Sequence, residues 1–383
     1  MKLPTIKEML GTLVSTPSVS CTSESQDQSN LGVIDHLATW LEDLGGTVER
    51  MPLPGNAAKA NLIATFGPPG EGLALSGHTD TVPCDEGRWS RDPFALAESE
   101  DRLYGLGACD MKGFFPVALA AVKRFTDNEF VRPLTIVATS DEESSMAGAR
   151  YLAESGRPKA RAAVIGEPTG LRPIHAHKGF MMLSIKLKGS SGHSSNPDLG
   201  NNALDAMHAV MGELIAYRGE LAAAYRNPAF EVPTPTLNLG CLHAGDNPNR
   251  ICEGAELQID LRLIPGMDHG EVRGEIDARL GAIAAERDIG IDIAAVFPPV
   301  SSYETPADGE LVRTLEQLSG RSSGSVAFGT EAPFFQALGM ETVIFGPGSI
   351  DQAHQPDEYL ETSNIRPAVD VLTELIGRYC VNA

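Results

Sequence analysis

Several acidic and imidazole side chains of this sequence each follow a short apolar run. They are His78 and Asp80 in SGHTDTVP, Asp110 in YGLGACDMKG, Glu142 and Glu143 in IVATSDEESSMAG, Glu167 in VIGEPTG, and His354 in GPGSIDQAHQPDEYLE. Divalent cations such as Zn²⁺ and Co²⁺ bind carboxylate oxygens and imidazole nitrogens. Two cations that share one carboxylate can hold a water for attack on a carbonyl. The sequence therefore predicts the site of a two-metal hydrolase.

Two of these carboxylates have positions that indicate their roles. Asp110 lies in a loop between Gly107 and Gly113, and glycines allow the backbone and a metal to approach closely, so Asp110 is the candidate to bridge two cations. Asp80 comes two residues after His78. We expect its carboxylate to accept the second ring N–H of His78, which would fix the tautomer of that imidazole.

The adjacent pair Glu142 and Glu143 has to divide two tasks. Neighbouring side chains on extended backbone point to opposite sides, so one carboxylate can bind metal while the other stays free as a general base. Glu142 is assigned as the base and Glu143 as the ligand, although this physical argument alone does not fix their order.

The elements that must position these residues alternate between extended and helical patterns in the first half of the chain. Extended runs are predicted at residues 61–65, 73–76, 134–138 and 162–165, and helices at 6–13, 31–44, 113–125 and 146–154. Strands that alternate with helices predict an α/β fold with a mostly parallel sheet. In such sheets, sites form at the carboxyl ends of strands, where His78, the Glu142–Glu143 pair and Glu167 fall.

The pattern changes after residue 177. Strands at 180–188, 236–243, 255–263 and 291–296 and helices at 202–225 and 269–286 follow in the order β-α-β-β-α-β, which is typical of a ferredoxin-like α+β domain. A helix around 311–318, a strand at 342–345 and a terminal helix at 364–379 then resume the first pattern. We predict a catalytic domain formed by residues 1–177 and 298–383, with residues 178–297 as an inserted domain.

Composition excludes some classes of function. The 383 residues carry 30 Lys and Arg against 51 Asp and Glu, a net charge of −21, which argues against a nucleic-acid-binding protein because phosphate binding needs a cationic face. The apolar runs are shorter than the roughly 20 residues of a membrane span. The six cysteines form no CxxC pair, so a cytoplasmic protein with free thiols and no membrane partner is expected.

The motifs HTDTVP, GLGACDMKG, SDEESSMAGAR, GEPTG, SGHSS and GPGSIDQAHQPDEYLE resemble the M20 family of co-catalytic zinc peptidases and deacylases. The resemblance covers nearly the whole chain. It implies a zinc-aminopeptidase-like catalytic domain with an inserted lid or dimerisation domain, and two divalent ions, Zn²⁺, Co²⁺ or one of each. One ion would be held by His78, Asp110 and Glu167 and the other by Asp110, Glu143 and His354, with Glu142 as base and Asp80 behind His78.

The resemblance also implies a homodimer in which His193, in SGHSS, reaches the neighbouring subunit's site and stabilises an oxyanion. Arg250 follows an apolar strand and a turn and is a candidate for bidentate capture of the α-carboxylate of a small N-acyl amino acid substrate. Glu331, in GTEAPFF, is a candidate to meet a cationic group of the substrate. The backbone of Gly348, in GPGS, is a candidate to touch the substrate.

These residues are interpreted as the site of a deacetylase that acts on an N-acyl amino acid, and alternatives to that function stay open at this point. A desuccinylase or a dipeptidase of the same family would use the same metal site. A succinyl substrate, however, carries an extra carboxylate, whereas Glu331 adds a negative charge. A non-catalytic metal-binding or peptide-binding protein on the same scaffold is a rival of a different class, and it would be expected to lack the base or a bridging ligand.

Overall fold

The computed structural model describes residues 3–125 and 129–382. The helices are α1 Ile6–Val14, α2 Leu31–Asp43, α3 Phe114–Val122, α4 Ala147–Glu154, α5 Ala203–Ala224, α6 His269–Glu286, α7 Glu310–Ser319, α8 Ala332–Ala337 and α9 Thr362–Ile376, the last followed by a π-helical turn. The strands are β1 Thr47–Leu53, β2 Asn56–Phe66, β3 Leu73–His78, β4 Ala97–Ser99, β5 Arg102–Tyr104, β6 Leu134–Thr139, β7 Ala162–Ile165, β8 Ile174–His177, β9 Gly179–Lys188, β10 Thr236–Ala244, β11 Gly254–Leu263, β12 Gly290–Ala295, β13 Tyr303–Glu304, β14 Gly324–Val326, β15 Glu341–Ile344 and β16 Tyr359–Glu361.

The chain forms two compact units. The first comprises Met1–His175, Thr305–Gly324 and Thr330–Ala383, and the second Ala176–Glu304 and Ser325–Gly329. The second unit thus continues past the boundary predicted after Phe297, and it also takes a short return segment from the later part of the chain. That return segment could not be read from hydrophobic periodicity because it is too short to carry a pattern.

The sheet of the first unit runs in the order β1-β2-β6-β3-β7-β15. The central strands β6, β3, β7 and β15 are parallel, while β1 and β2 add to one edge antiparallel. The strands β3, β6 and β7 are buried along their whole length, which is why they read as continuous apolar runs rather than alternating ones. The predicted α/β class with a mostly parallel sheet is confirmed.

Helices of the first unit share one core with this sheet. Leu37 of α2, Phe115 of α3 and Leu372 of α9 pack in the same buried cluster as Leu75 of β3 and Val164 of β7. A small antiparallel sheet, β16-β5-β4, lies in the same unit. Its strands are only three residues long, and they were not predicted.

The second unit has the strand order β10-β11-β9-β12, with all pairs antiparallel. With α5 between β9 and β10 and α6 between β11 and β12, this is the split βαβ arrangement of a ferredoxin-like fold. Alternate residues of β9, such as Leu183 and Ile185, join Val210 of α5 and Ile276 of α6 in a second buried core. A lid or dimerisation role for this unit stays a prediction. Within the described part of the chain, no helix has the length and apolar character needed to cross a membrane.

Candidate metal centre

The predicted ligands of the first half gather at one edge of the parallel sheet. His78 is the last residue of β3, Glu167 comes two residues after β7, and the Glu142–Glu143 pair follows β6. The three strands are parallel neighbours in the order β6-β3-β7. Their carboxyl ends therefore lie side by side, and the side chains that follow them converge.

Two loops bring the other predicted ligands to this edge. Asp110 lies in the loop before α3, and its Oδ1 is 3.2 Å from Nε2 of His78. His354 lies in the loop before β16, where its Nε2 is 3.0 Å from Oε2 of Glu143 and 3.7 Å from Oδ2 of Asp110. Asp110 thus has one carboxylate oxygen towards each histidine, which is the arrangement that a bridging ligand needs.

The resulting clusters have the composition of metal sites. Ligand atoms of His78, Asp110 and Glu167 lie within 4.8 Å of one another, as do those of Asp110, Glu143 and His354. These are the two sets that the sequence analysis named, and Asp110 belongs to both. A further grouping within the same distance joins His78, Glu142 and Glu143, so Glu142 faces the same centre without belonging to either set that contains Asp110.

The electrostatics of the centre favour bound cations. Burial and the charge of Asp110 raise the pKa of Glu167 well above its ordinary value, and burial and the charge of Glu167 do the same to the pKa of Glu142. The pKa of His354 is raised to about 9, chiefly by its hydrogen bond to Glu143. Among the described residues, the buried Oε1 of Glu167 has no hydrogen-bond partner. Mutually repelling buried carboxylates with an unsatisfied oxygen fit divalent ions, which would compensate the charge.

Asp80 contacts His78 through a different atom from the one predicted. The Nδ1 of His78 is 3.0 Å from the main-chain carbonyl oxygen of Asp80, whereas the Asp80 carboxylate is 3.7 Å away. That carboxylate instead accepts the backbone N–H of Glu143 at 3.0 Å. The imidazole is still oriented by Asp80, with Nε2 turned towards Asp110, but the carboxylate is the support of the Glu142–Glu143 segment.

Glu142 and Glu143 do not lie on extended backbone. The prediction that strand alternation turns their side chains to opposite sides is therefore wrong. Strand β6 ends at Thr139, and the chain then turns through Asp141, whose φ is +58°. The buried Lys59 holds Asp141 by a 2.6 Å ion pair. The turn, rather than the strand alternation, directs the two carboxylates to different neighbours.

Glu331 and Gly348 lie in the same unit as the centre. Glu331 is fully buried at the start of α8, and its Oε2 accepts a 2.9 Å hydrogen bond from the hydroxyl of Thr139, the last residue of β6. In the described part of the chain its Oε1 has no partner, and burial raises its pKa to about 7. Gly348 has a packing reason to be glycine, since a Cβ there would lie 2.5 Å from Sγ of Cys109.

His193 and Arg250 belong to the second unit and pair with each other through an isolated β-bridge. Both are exposed. The Nδ1 of His193 accepts the backbone N–H of Ser195 at 3.2 Å, so the neutral ring carries its proton on Nε2. Arg250 forms a 2.6 Å ion pair with Asp246. Their contributions to a site stay predictions.

Two buried charged residues beside the centre, Glu358 and Lys112, were not among the predicted site residues. The Glu358 carboxylate is buried and accepts the backbone N–H groups of Gly107, Cys109 and Asp110. Lys112 is also buried, its Nζ donates to the carbonyl oxygens of Leu13 and Thr16, and burial lowers its pKa to about 7. Both lie within quoted motifs, but nothing in a sequence pattern shows that a charged side chain is turned inward to bind backbone.

Solved structures with the same fold come from several organisms. A tripeptidase from Staphylococcus aureus is 18% identical with a TM-score of 0.76, and the match covers 97% of this chain and 96% of that one. An M20 family metallo-carboxypeptidase from Sulfolobus solfataricus is 20% identical with a TM-score of 0.76, covering 97% and 98%. A dinuclear metal binding peptidase of the M20 family from Bacillus subtilis is 16% identical with a TM-score of 0.68, covering 97% and 96%. At these identities the likeness shows the fold.

The family itself follows from the sequence. The profile of peptidase family M20/M25/M40 matches residues 74–378, a span that runs from β3, which carries His78, through the inserted unit to α9. It therefore contains every residue of the two candidate ligand sets. The chain belongs to peptidase family M20/M25/M40, whose members are metal-dependent hydrolases.

Proposed function

We propose that this chain is an acetylornithine deacetylase, which hydrolyses N2-acetyl-L-ornithine to L-ornithine and acetate in arginine biosynthesis. The observation that carries the reaction type is the pair of ligand sets that share Asp110, with Glu142 close by but outside both. The substrate is supported by the stretches DEGRWSRDPFALAE, DMKGFFPVALAAV, HKGF, TLNLG, NRIC and GTEAPFFQ, which resemble bacterial acetylornithine deacetylase.

In the proposed mechanism, His78, Asp110 and Glu167 would hold one ion and Asp110, Glu143 and His354 the other. Two divalent ions bound there, Zn²⁺, Co²⁺ or one of each, would supply Lewis acidity for lowering the pKa of a water and polarising the acetyl carbonyl. Glu142 takes the proton of the attacking water and returns it to the amine nitrogen when the C–N bond breaks. Its pKa is raised by burial and by the charge of Glu167, which makes its carboxylate a better proton acceptor than an ordinary one.

The remaining proposed roles concern the substrate and the oxyanion. Because Nδ1 of His193 is an acceptor, its Nε2 N–H is available as a donor to the developing oxyanion. We place this donor in the site as His193 of the partner subunit, within a homodimer. Arg250 would capture the α-carboxylate, while the backbone of Gly348 would touch the substrate. Glu331 would meet the side-chain ammonium of ornithine, since one of its buried oxygens lacks a partner among the described residues.

The test is a parallel assay of the metal-loaded protein on N2-acetylornithine, succinyl-diaminopimelate and a dipeptide. The proposal expects acetylornithine to be hydrolysed with the highest kcat/KM. Faster turnover of the succinyl substrate or the dipeptide would identify the chain as a desuccinylase or a dipeptidase of the same family. No hydrolysis of any of them by a protein that binds its metals would favour a binding protein.

The ammonium role of Glu331 has its own test, in which the neutral analogue N-acetylnorvaline is the matched substrate. Loss of a charge-assisted contact typically costs about 1.5 to 3 kcal/mol, so E331Q should lower kcat/KM for acetylornithine roughly 10- to 100-fold. Turnover of acetylnorvaline should change little. An equal loss on both substrates, or an unchanged KM for acetylornithine, would contradict the role.

A further inference from the structure

Glu358 lies on the segment that carries His354, and its side chain contacts the loop that carries Asp110. It thus connects two segments with candidate ligands of the proposed metal site. It follows His354 by four residues and comes directly before β16, whose Tyr359 pairs with Tyr104 of β5. Its main-chain carbonyl accepts the N–H of Gly105 at 3.0 Å. The residue is 2% exposed, so its carboxylate is turned inward, towards the loop that ends at Asp110.

The carboxylate of Glu358 accepts hydrogen bonds from three backbone N–H groups of that loop. Its Oε2 accepts the backbone N–H of Gly107 at 3.0 Å, and its Oε1 accepts those of Cys109 at 2.7 Å and Asp110 at 2.9 Å. Three backbone donors that converge on one carboxyl group fix the path of the main chain, because each would be an unsatisfied buried group without it.

A second contact ties the same two segments together. The Sγ of Cys109 donates to the carbonyl oxygen of Ser349 at 3.2 Å, and a Cβ at Gly348 would collide with that sulfur. The Asp110 loop and the His354 segment are therefore packed without spare room. Of their contacts, those of Glu358 are the ones that reach the main chain of Asp110 itself.

We infer that Glu358 is a positioning residue of the metal centre, which holds Asp110 and His354 in register so that both can bind the same ion. This inference rests on the proposed paired-metal site. The hydrogen bonds of the Glu358 carboxylate go to backbone N–H groups, so it acts through the main chain of the loop, as residues that orient metal ligands do. Its effect should be greatest on the ion bound by Asp110, Glu143 and His354, because His354 is on the same segment and its side chain is 55% exposed.

The variant E358Q tests this with a minimal change. The amide oxygen can keep the N–H groups of Cys109 and Asp110, but the amide NH₂ then meets the N–H of Gly107, donor against donor. The matched control is E341Q, since Glu341 also accepts a backbone N–H, that of Leu311 at the start of α7, at 2.9 Å. That helix carries none of the candidate ligands.

Zn²⁺ binding to the full chain should be measured by competition with a chelator, together with the Tm of the metal-free protein. We expect E358Q to bind one of the two Zn²⁺ ions roughly 10- to 100-fold less tightly, the usual loss for a residue behind a ligand, with a smaller loss for the other ion. E341Q should lower Tm while leaving both affinities unchanged. If Glu358 has only a structural role, E358Q should likewise lower Tm and leave both Zn²⁺ affinities unchanged.

A folded E358Q that binds two Zn²⁺ ions with wild-type affinities would overturn the inference. If E358Q does not fold, E358D keeps the carboxyl group but withdraws it by one methylene, and wild-type affinities in that variant would overturn the inference equally. A wild-type chain that binds fewer than two ions would remove both the paired site and this role. If the wild type binds two ions but does not hydrolyse acetylornithine, the substrate proposal fails. Weaker Zn²⁺ binding by E358Q would then still support the positioning role.

Discussion

Glu142 and Glu143 are adjacent in the chain but differ in the neighbours they meet. Glu143 reaches His354 at 3.0 Å, and its pKa is raised by burial and by the charge of Asp110. The pKa of Glu142 is raised further, by burial and by the charge of Glu167. A carboxylate with a histidine partner suits a ligand, and one with a strongly raised pKa suits a proton carrier.

This difference gives a prediction for two matched substitutions. E142Q removes the proton carrier but no ligand, so kcat should fall by about 10²- to 10⁴-fold, the usual contribution of a general base, with two ions still bound. E143Q should lose at least one ion. Turnover and metal content, measured on the same preparations, check both. Loss of both ions in E142Q with retention in E143Q would reverse the two roles.

At this scale the residue types could be predicted better than their contacts. The candidate ligand residues could be named in advance from their side-chain chemistry and their positions after apolar runs, whereas their division into two sets around Asp110 came from the resemblance to the M20 family. The carbonyl contact of Asp80 and the three N–H groups held by Glu358 could not. They are made with backbone, whose position depends on turn geometry that no residue pattern specifies.

At the scale of elements, the parallel order β6-β3-β7-β15 is what brings the ligands together. Elements with a clear apolar pattern could be predicted well from the sequence: the long helix α6 has the predicted bounds, and the fully buried strand β7 matches residues 162–165. The three-residue strands β4, β5 and β16 and the six-residue helix α8 could not be predicted, because such short segments carry too little periodicity. The small sheet that these strands form supports Glu358, so the missed elements and the missed residue belong together.

The packing of β7 against α3 gives a prediction at this scale. A Cβ at Gly166, just after β7, would lie 2.2 Å from the ring of Phe114 at the start of α3. Overpacking of a core typically costs about 1 to 3 kcal/mol, so G166A should lower the free energy of unfolding by that amount, as denaturant titration would show.

The control is G11A, in helix α1 of the same unit. A Cβ there would make only ordinary contacts, the nearest with Leu96 at 3.7 Å. Replacing a helical glycine by alanine typically gains about 0.5 to 1 kcal/mol, so G11A should be neutral or stabilising. Equal free energies of unfolding for G166A and G11A would show that the start of α3 can shift to accept the added methyl group without loss of stability.

At the scale of the whole molecule, the centre concentrates negative charge in a chain whose net charge is already −21. Burial raises the pKa of Glu358 to about 8 and that of Glu331 to about 7, while the hydrogen bond to Glu143 raises that of His354 to about 9. Each group holds its proton more tightly in the folded protein than in the unfolded chain. Each therefore favours folding at low pH and loses that contribution as pH rises.

We therefore expect the Tm of the metal-free protein to fall as pH rises from about 5 to 7, while above pH about 7 the lowered pKa of Lys112 makes stability rise with pH and opposes these three groups. Bound cations replace the protons, so the Tm of the Zn²⁺-loaded protein should fall less and the gap between the two should widen. Thermal unfolding with Zn²⁺ and with a chelator, over this pH range, measures it. E331Q should reduce the slope of Tm against pH of the metal-free protein below pH about 7. A difference in Tm between the Zn²⁺-loaded and metal-free proteins that stays constant with pH would contradict this expectation.

The place of β15 in the sheet has a consequence for how the protein is made. β15 pairs with β7, but the whole inserted sheet, β9 to β12, is encoded between them. Because domains generally fold in order of synthesis, the nascent inserted unit can close its own sheet while β7 still waits for its neighbour. His354 leaves the ribosome later still. The proposed second ion can therefore be captured only after the segment that carries His354 has been made, so a nascent chain that stops short of it would lack one ligand of that ion.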